Sequence, residues 1–158
     1  MKLIDILQPQ FIKLPLQSNS RESVIRELID LLAGHHILKQ PDEVMQAVLD
    51  REKIMTTGVG KGVAIPHCKF NGCPDFSIAL GIHPKGIDYG ALDDLPVKIV
   101  FLLVGPKSNP GTHIRLLSRI SRIISKEPVR EKILECTSPQ QVHQLLQAEE
   151  ANFFEIKS

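Results

Sequence analysis

The run VKIVFLLVG, residues 97–105, is apolar throughout apart from Lys98 and its closing glycine. A strand buried on both faces reads this way, because neither side of its pleat meets water. After it comes SNPGT (108–112), which is loop chemistry, and then His113, Leu117, Ile120 and Ile124 recur at helical spacing. Two further strand-like segments lie upstream, VAIPH (63–67) and SIALGIH (77–83). Helical patterns surround them. Ser20 can cap a segment carrying Val24, Ile25, Leu28, Ile29, Leu31 and Leu32, with Ser23 three residues on and Gly34 at its close. Pro41 suits a first helical turn, and the run from Asp42 to about Glu52 sets Val44, Val48 and Leu49 on one face. Pro128 starts a helix over about 129–136, and Ser138 with Pro139 opens another. LIDIL at the start reads as a short helical turn, while FIKLPL, broken by Pro15, is an edge strand at best. The pattern predicts an α/β fold: a single layered domain over residues 1–158, with a mixed central β-sheet flanked by helices on both faces.

The chain of 158 residues is long enough for a sizeable core, and 42% hydrophobic and 23% charged residues are ordinary for a soluble protein. A net charge of +1, no Trp and one Tyr argue against nucleic acid as a partner. No apolar run approaches a membrane span, so no membrane insertion is expected. MKLIDILQPQ is too interrupted for a signal peptide, and three cysteines (Cys68, Cys73, Cys136) suit a reducing compartment. The expected localisation is cytoplasmic.

The second informative stretch is REKIMTTGVGKGVAIPHCK, residues 51–69, with three glycines in five positions. A P-loop would need Ser or Thr after Lys61, but Gly62 follows; a dinucleotide fingerprint would need glycine where Val63 stands. The stretch reads either as a tight turn or as a backbone nest whose bare N–H groups hold an anion. His67 follows Pro66, which restricts the backbone before it. An imidazole with one nitrogen held and the other exposed is a good nucleophile near neutral pH.

The stretch closely resembles the phosphohistidine segment of enzyme IIA domains of the bacterial phosphotransferase system, in the fructose–mannitol class that includes the nitrogen-regulatory enzyme IIA proteins. The residues that carry the likeness are Arg51, Glu52, Thr56, Thr57, Gly58, Gly60, Gly62, Ala64, Ile65, Pro66 and His67. Cys68 stands where the family often has Gly or Ala. FLLVGPKSNPGTHIRLLSRIS supplies a second family histidine, His113, at the opening of a helix. The resemblance implies that His67 accepts a phosphoryl group from an HPr-like phosphocarrier protein and passes it to an enzyme IIB domain. It implies that His113 and Arg51 hold the phosphoryl oxygens, and Thr57, Gly58, Gly60 and Gly62 are expected to form a phosphoryl-binding loop. No metal and no cofactor is implied. The physics suits these roles, since phosphoryl transfer needs positioning and neutralisation of oxygen charge.

Other residues compete for attention. His67, Cys68, Cys73 and His83 can be set out as zinc ligands, but their spacing lacks a Cys-x-x-Cys pair. Arg115, Arg119, Arg122 and Lys126 form a basic stripe that is either a solvated face or a docking face for an acidic partner. His35, His36 and His143 read as residues without a role. Two functions stay open: a transport component that hands phosphate to enzyme IIB, and a regulatory protein whose phosphorylation switches binding to a target. With no transporter, IIB or carrier segment alongside, the regulatory, nitrogen-type reading is mildly preferred.

Overall fold

The computed structural model describes residues 2–154. The elements run α1 (Leu3–Ile6), a 3₁₀ turn (Pro9–Phe11), β1 (Ile12–Lys13), α2 (Arg21–Gly34), α3 (Pro41–Ile54), β2 (Gly58–Gly60), β3 (Val63–Ala64), β4 (His67–Lys69), β5 (Ser77–Ile87), β6 (Val97–Gly105), α4 (Pro110–Ile124), α5 (Glu127–Glu135) and α6 (Pro139–Phe154). The expected α/β fold with a mixed sheet is the one formed. Six strands pair in the order β1-β5-β6-β3-β2, with β4 also on β6.

The run 97–105 is the middle of the sheet. It pairs antiparallel with β5, and every one of its residues except Lys98 is buried. On its other side β3 and β4 lie end to end, both parallel to it: Val63 opposite Ile99, and His67 opposite Leu103. The sequence pattern reads VAIPH as one strand, and the structure corrects this. Pro66 has no N–H to give a ladder, so pairing breaks at Ile65–Pro66 and resumes at His67. FIKLPL supplies only the two-residue edge strand β1, parallel to β5.

Helices cover both faces. The sheet side of α2 is made by Val24, Ile25, Leu28, Ile29 and Leu32, all fully buried, and α2 packs on α3, β5 and β6. Burying five such side chains contributes roughly 1.5–3 kcal/mol each. Its start is the capping box read from Ser20 and Ser23. A second group, α1, α4, α5 and α6, is packed together and meets β1. Helix α5 begins at Glu127, with Pro128 inside its first turn rather than ahead of it. On α4 the core side chains are Leu116, Ile120, Ile123 and Ile124, while Leu117 is only partly buried. The cap of α6 is Ser138, whose Oγ accepts the Gln141 N–H at 3.2 Å.

The clustered glycines build the hairpin between β2 and β3. Gly60 has φ 102° and Gly62 φ 80°, with Lys61 at 58° between them. Three successive residues with positive φ make glycine the natural occupant of the outer two. The hairpin is moored to the start of β6 and the segment before it: Asp93 Oδ2 accepts the Lys61 N–H at 2.8 Å, and Gly62 O accepts the Lys98 N–H at 2.8 Å.

Candidate functional site

Three elements converge at the C-terminal end of β6. The last turns of α3 carry Arg51. Strand β4 begins with His67, in register with Leu103. Beyond β6 the chain turns through residues 106–109, and α4 carries His113 back toward β4 in its first turns, behind an Asn109 cap whose Oδ1 accepts the Thr112 N–H at 3.2 Å. These residues line a cavity of about 360 Å³ together with Ala47, Cys68, Lys69, Ile114 and Leu117. The His67 and His113 rings lie 5.7 Å apart between centroids, inclined at 59°. Glycine at 105 leaves room for Phe76 and His113 against the end of β6: a Cβ there would stand 2.3 Å from the Phe76 ring and 3.3 Å from His113 Nδ1.

The two histidines are held differently. His67 Nδ1 donates to the Ile65 carbonyl at 2.6 Å, which places its proton there and leaves the Nε2 lone pair uncommitted. Burial lowers the His67 pKa; the Ile65 bond opposes this, and the Arg51 charge lowers it further. His113 is only 2% exposed, and among the described residues neither ring nitrogen has a hydrogen-bond partner. Burial above all, then His67 and Lys69, push its pKa down to about 4. Both rings are therefore neutral near pH 7. An orphaned buried imidazole is costly to leave unsatisfied, so His113 is poised to donate to an incoming oxygen. Arg51 is half-buried; its Nη1 donates to the Met55 carbonyl at 3.2 Å. Burial raises the Cys68 thiol to about 12, so it stays protonated and is no nucleophile.

Arg51, His67 and His113 are thus brought together, and the four loop residues are not. Thr57 is buried against Glu52 and Tyr89, Gly58 pairs with Ala64, and Gly60 and Gly62 lie in the hairpin moored to 93–98. None of the four lines the histidine cavity. Lys69 was not singled out from the sequence, although it stands two residues after His67 on a strand and shares its side. Among the described residues no three His, Cys, Asp or Glu are grouped to hold a metal ion. His83 instead meets Asn19 Oδ1 through Nε2 at 3.0 Å. The basic stripe is divided: Arg119 Nη1 donates to Glu150 at 3.0 Å and Arg115 Nη2 to Thr112 at 3.1 Å. No helix among the described residues is long and apolar enough to cross a membrane.

Comparison with known proteins adds to this geometry. Residues 5–149 match the family model described as "Phosphoenolpyruvate-dependent sugar phosphotransferase system, EIIA 2". The chain is 37% identical to the fructose-specific EIIA component of Haloferax volcanii, over 80% of this chain and 82% of that one. It is 35% identical, over 87% of its length, to the fructose-specific EIIABC component of Bacillus subtilis, of which it spans only 22%. The fold matches the crystal structure of nitrogen regulatory protein IIA-Ntr from Neisseria meningitidis with a TM-score of 0.85 and 28% identity, covering 91% of this chain and 98% of that one.

Proposed function

The chain belongs to the EIIA 2 family of the phosphoenolpyruvate-dependent sugar phosphotransferase system, and from that premise we propose that it carries a phosphoryl group on Nε2 of His67. The observation that supports this most directly is the His67 Nδ1 bond to the Ile65 carbonyl, which fixes the proton on one nitrogen and leaves the other as nucleophile.

The donor is a phosphorylated HPr-like carrier. Nε2 attacks the phosphorus, the P–N bond of the donor breaks, and the electron pair of that bond returns to the donor imidazole. The Nδ1 proton stays on His67, where the Ile65 carbonyl shares the positive charge that develops on the ring. Arg51 brings a two-pronged cation to the transferring oxygens, and His113 donates an N–H that has no partner beforehand. In the outward step an acceptor on an enzyme IIB domain attacks phosphorus, and His67 leaves as a neutral imidazole. The P–N bond that breaks in each step is already activated, so positioning and charge neutralisation are the work required of the protein.

A second reading keeps the same phosphorylated site but uses its state to control a target protein. The match to the Neisseria nitrogen regulatory protein over nearly its full length supports it, as the match to the Haloferax fructose-specific EIIA component supports transport. Both readings share the acceptance step and differ in whether the phosphoryl group then leaves for an enzyme IIB domain.

The test is incubation with purified phosphorylated HPr, followed by mass spectrometry of the peptide containing His67. Labelling should be acid-labile and base-stable, and absent in His67→Ala. Full labelling of that variant would place the phosphoryl group elsewhere. Adding purified enzyme IIB domains then asks whether the label leaves, as transport requires.

A further inference from the structure

A polar cluster joins the last turn of α3 to the start of β2 and is not used by the transfer step. Glu52, the residue after Arg51, is 7% exposed. Its carboxylate accepts the Thr57 N–H at 2.9 Å and also the hydroxyls of Thr57 and Tyr89. Those two hydroxyls lie 2.9 Å apart. Burial and the neighbouring Glu52 raise the Tyr89 pKa, so Tyr89 remains a donor. A buried carboxylate is tolerated when its oxygens are met this fully.

The cluster is connected to His67 by main chain. The Thr57 carbonyl accepts the Ile65 N–H at 2.9 Å, and the Ile65 carbonyl accepts the His67 Nδ1 proton at 2.6 Å. Strand β6 pairs with residues 63–64 and 67–69, so Ile65 sits at the break and leans on Thr57. The carbonyl that orients His67 is therefore itself oriented from Glu52. The same side chain ties the end of α3, and with it Arg51, to the β2 side of the site. We infer that Glu52 is a positioning residue: through Thr57 and Ile65 it holds the His67 proton inward on Nδ1 and keeps Nε2 open. The inference rests on His67 being the phosphoryl acceptor.

The test pairs transfer rates from phosphorylated HPr with the ring ¹⁵N spectrum of His67, which reports which nitrogen carries the proton. Glu52→Ala should slow transfer by about tenfold or more, as loss of alignment does. It should also turn the Nδ1-protonated ring into a mixture of tautomers. Glu52→Gln should recover most of both, because its amide oxygen still accepts the Thr57 N–H. Thr57→Val removes one hydroxyl only and should shift both readouts in the same direction by less. It decides the matter if Glu52→Ala does not fold. Glu150→Gln, which disturbs a different buried carboxylate, is the control: it should lower stability and leave the His67 spectrum unchanged. An unaltered tautomer in folded Glu52 and Thr57 variants, with a normal rate or with one that falls only in step with stability, overturns the inference. If wild-type His67 takes no label, the preceding reading fails instead, and the tautomer comparison still decides this one.

Discussion

His113 is buried, neutral and, among the described residues, without a hydrogen-bond partner, and that combination has a pH signature. Its native pKa, about 4, lies below the ordinary 6.5. As pH falls below 6.5 the unfolded chain takes up a proton that the native ring refuses. His113 leaves stability unchanged with pH above 6.5, and stability is lost progressively as pH falls toward 4. Between about pH 7 and about pH 4.5 the loss comes to about 2 kcal/mol. His113→Leu should remove that part of the slope, which urea unfolding at the two pH values would measure. An equal slope in both proteins would mean that the ring is hydrated or partnered in solution. His67 shifts in the same direction but keeps its Ile65 bond, so it stays in both proteins as a common background. The same orphaned ring gives His113 its proposed use: a phosphoryl oxygen satisfies the donor that folding leaves unpaired.

At the scale of elements, the last turn of α3 matters through Arg51. The side chain is anchored by one hydrogen bond to the Met55 carbonyl and is half-exposed, so Arg51→Ala should cost well under about 1 kcal/mol of stability. Transfer from phosphorylated HPr should nevertheless slow by roughly a hundredfold, the usual penalty for losing one charged donor in a transition state. Arg51→Lys should recover only part, since a point charge lacks the fork. Rapid-quench rates on the folded variants check this, and a wild-type rate in Arg51→Ala would remove Arg51 from the site. The elements themselves were unequally legible. Strand β6 announced itself because burial on both faces leaves an apolar run, and α2 because Ser20 and Ser23 cap it locally. The split of VAIPH turned on one missing N–H at Pro66 facing β6, a partner more than thirty residues away. The glycine hairpin was recognisable as a turn, but its mooring to 93–98 depends on tertiary register, which periodicity does not carry. Of the site, Arg51, His67 and His113 were named by family likeness; spacing alone gave no reason for two distant histidines to meet. The Glu52–Thr57–Tyr89 cluster had no local signal beyond a single tyrosine.

The whole molecule is closed by Glu150, near the end of the described chain. Its side chain is fully buried and joins three helices: it accepts the Leu3 N–H at 2.6 Å and the Ile4 N–H at 3.2 Å from α1, and Arg119 Nη1 at 3.0 Å from α4. The amides of α1 are the unsatisfied donors of a helix start, so one carboxylate on α6 serves as the cap that α1 lacks locally. The basic stripe on α4 is therefore in part internal, and Arg119 belongs to the frame rather than to a docking face. A buried pair adds little over an apolar substitute, yet removing one partner is costly because the other is left in the interior. Glu150→Ala should lower the unfolding free energy by about 3 kcal/mol, and Glu150→Gln by less, since the amide oxygen still accepts from Leu3. Urea unfolding should show a lower midpoint with an unchanged slope, the mark of a weaker native state that unfolds as one. Transfer onto His67 should persist in the folded fraction, because neither Glu150 nor Arg119 lines the histidine cavity. A midpoint within error of wild type would show that water replaces Glu150 at the start of α1. A biphasic transition would show instead that α1 and α6 come away before the sheet unfolds.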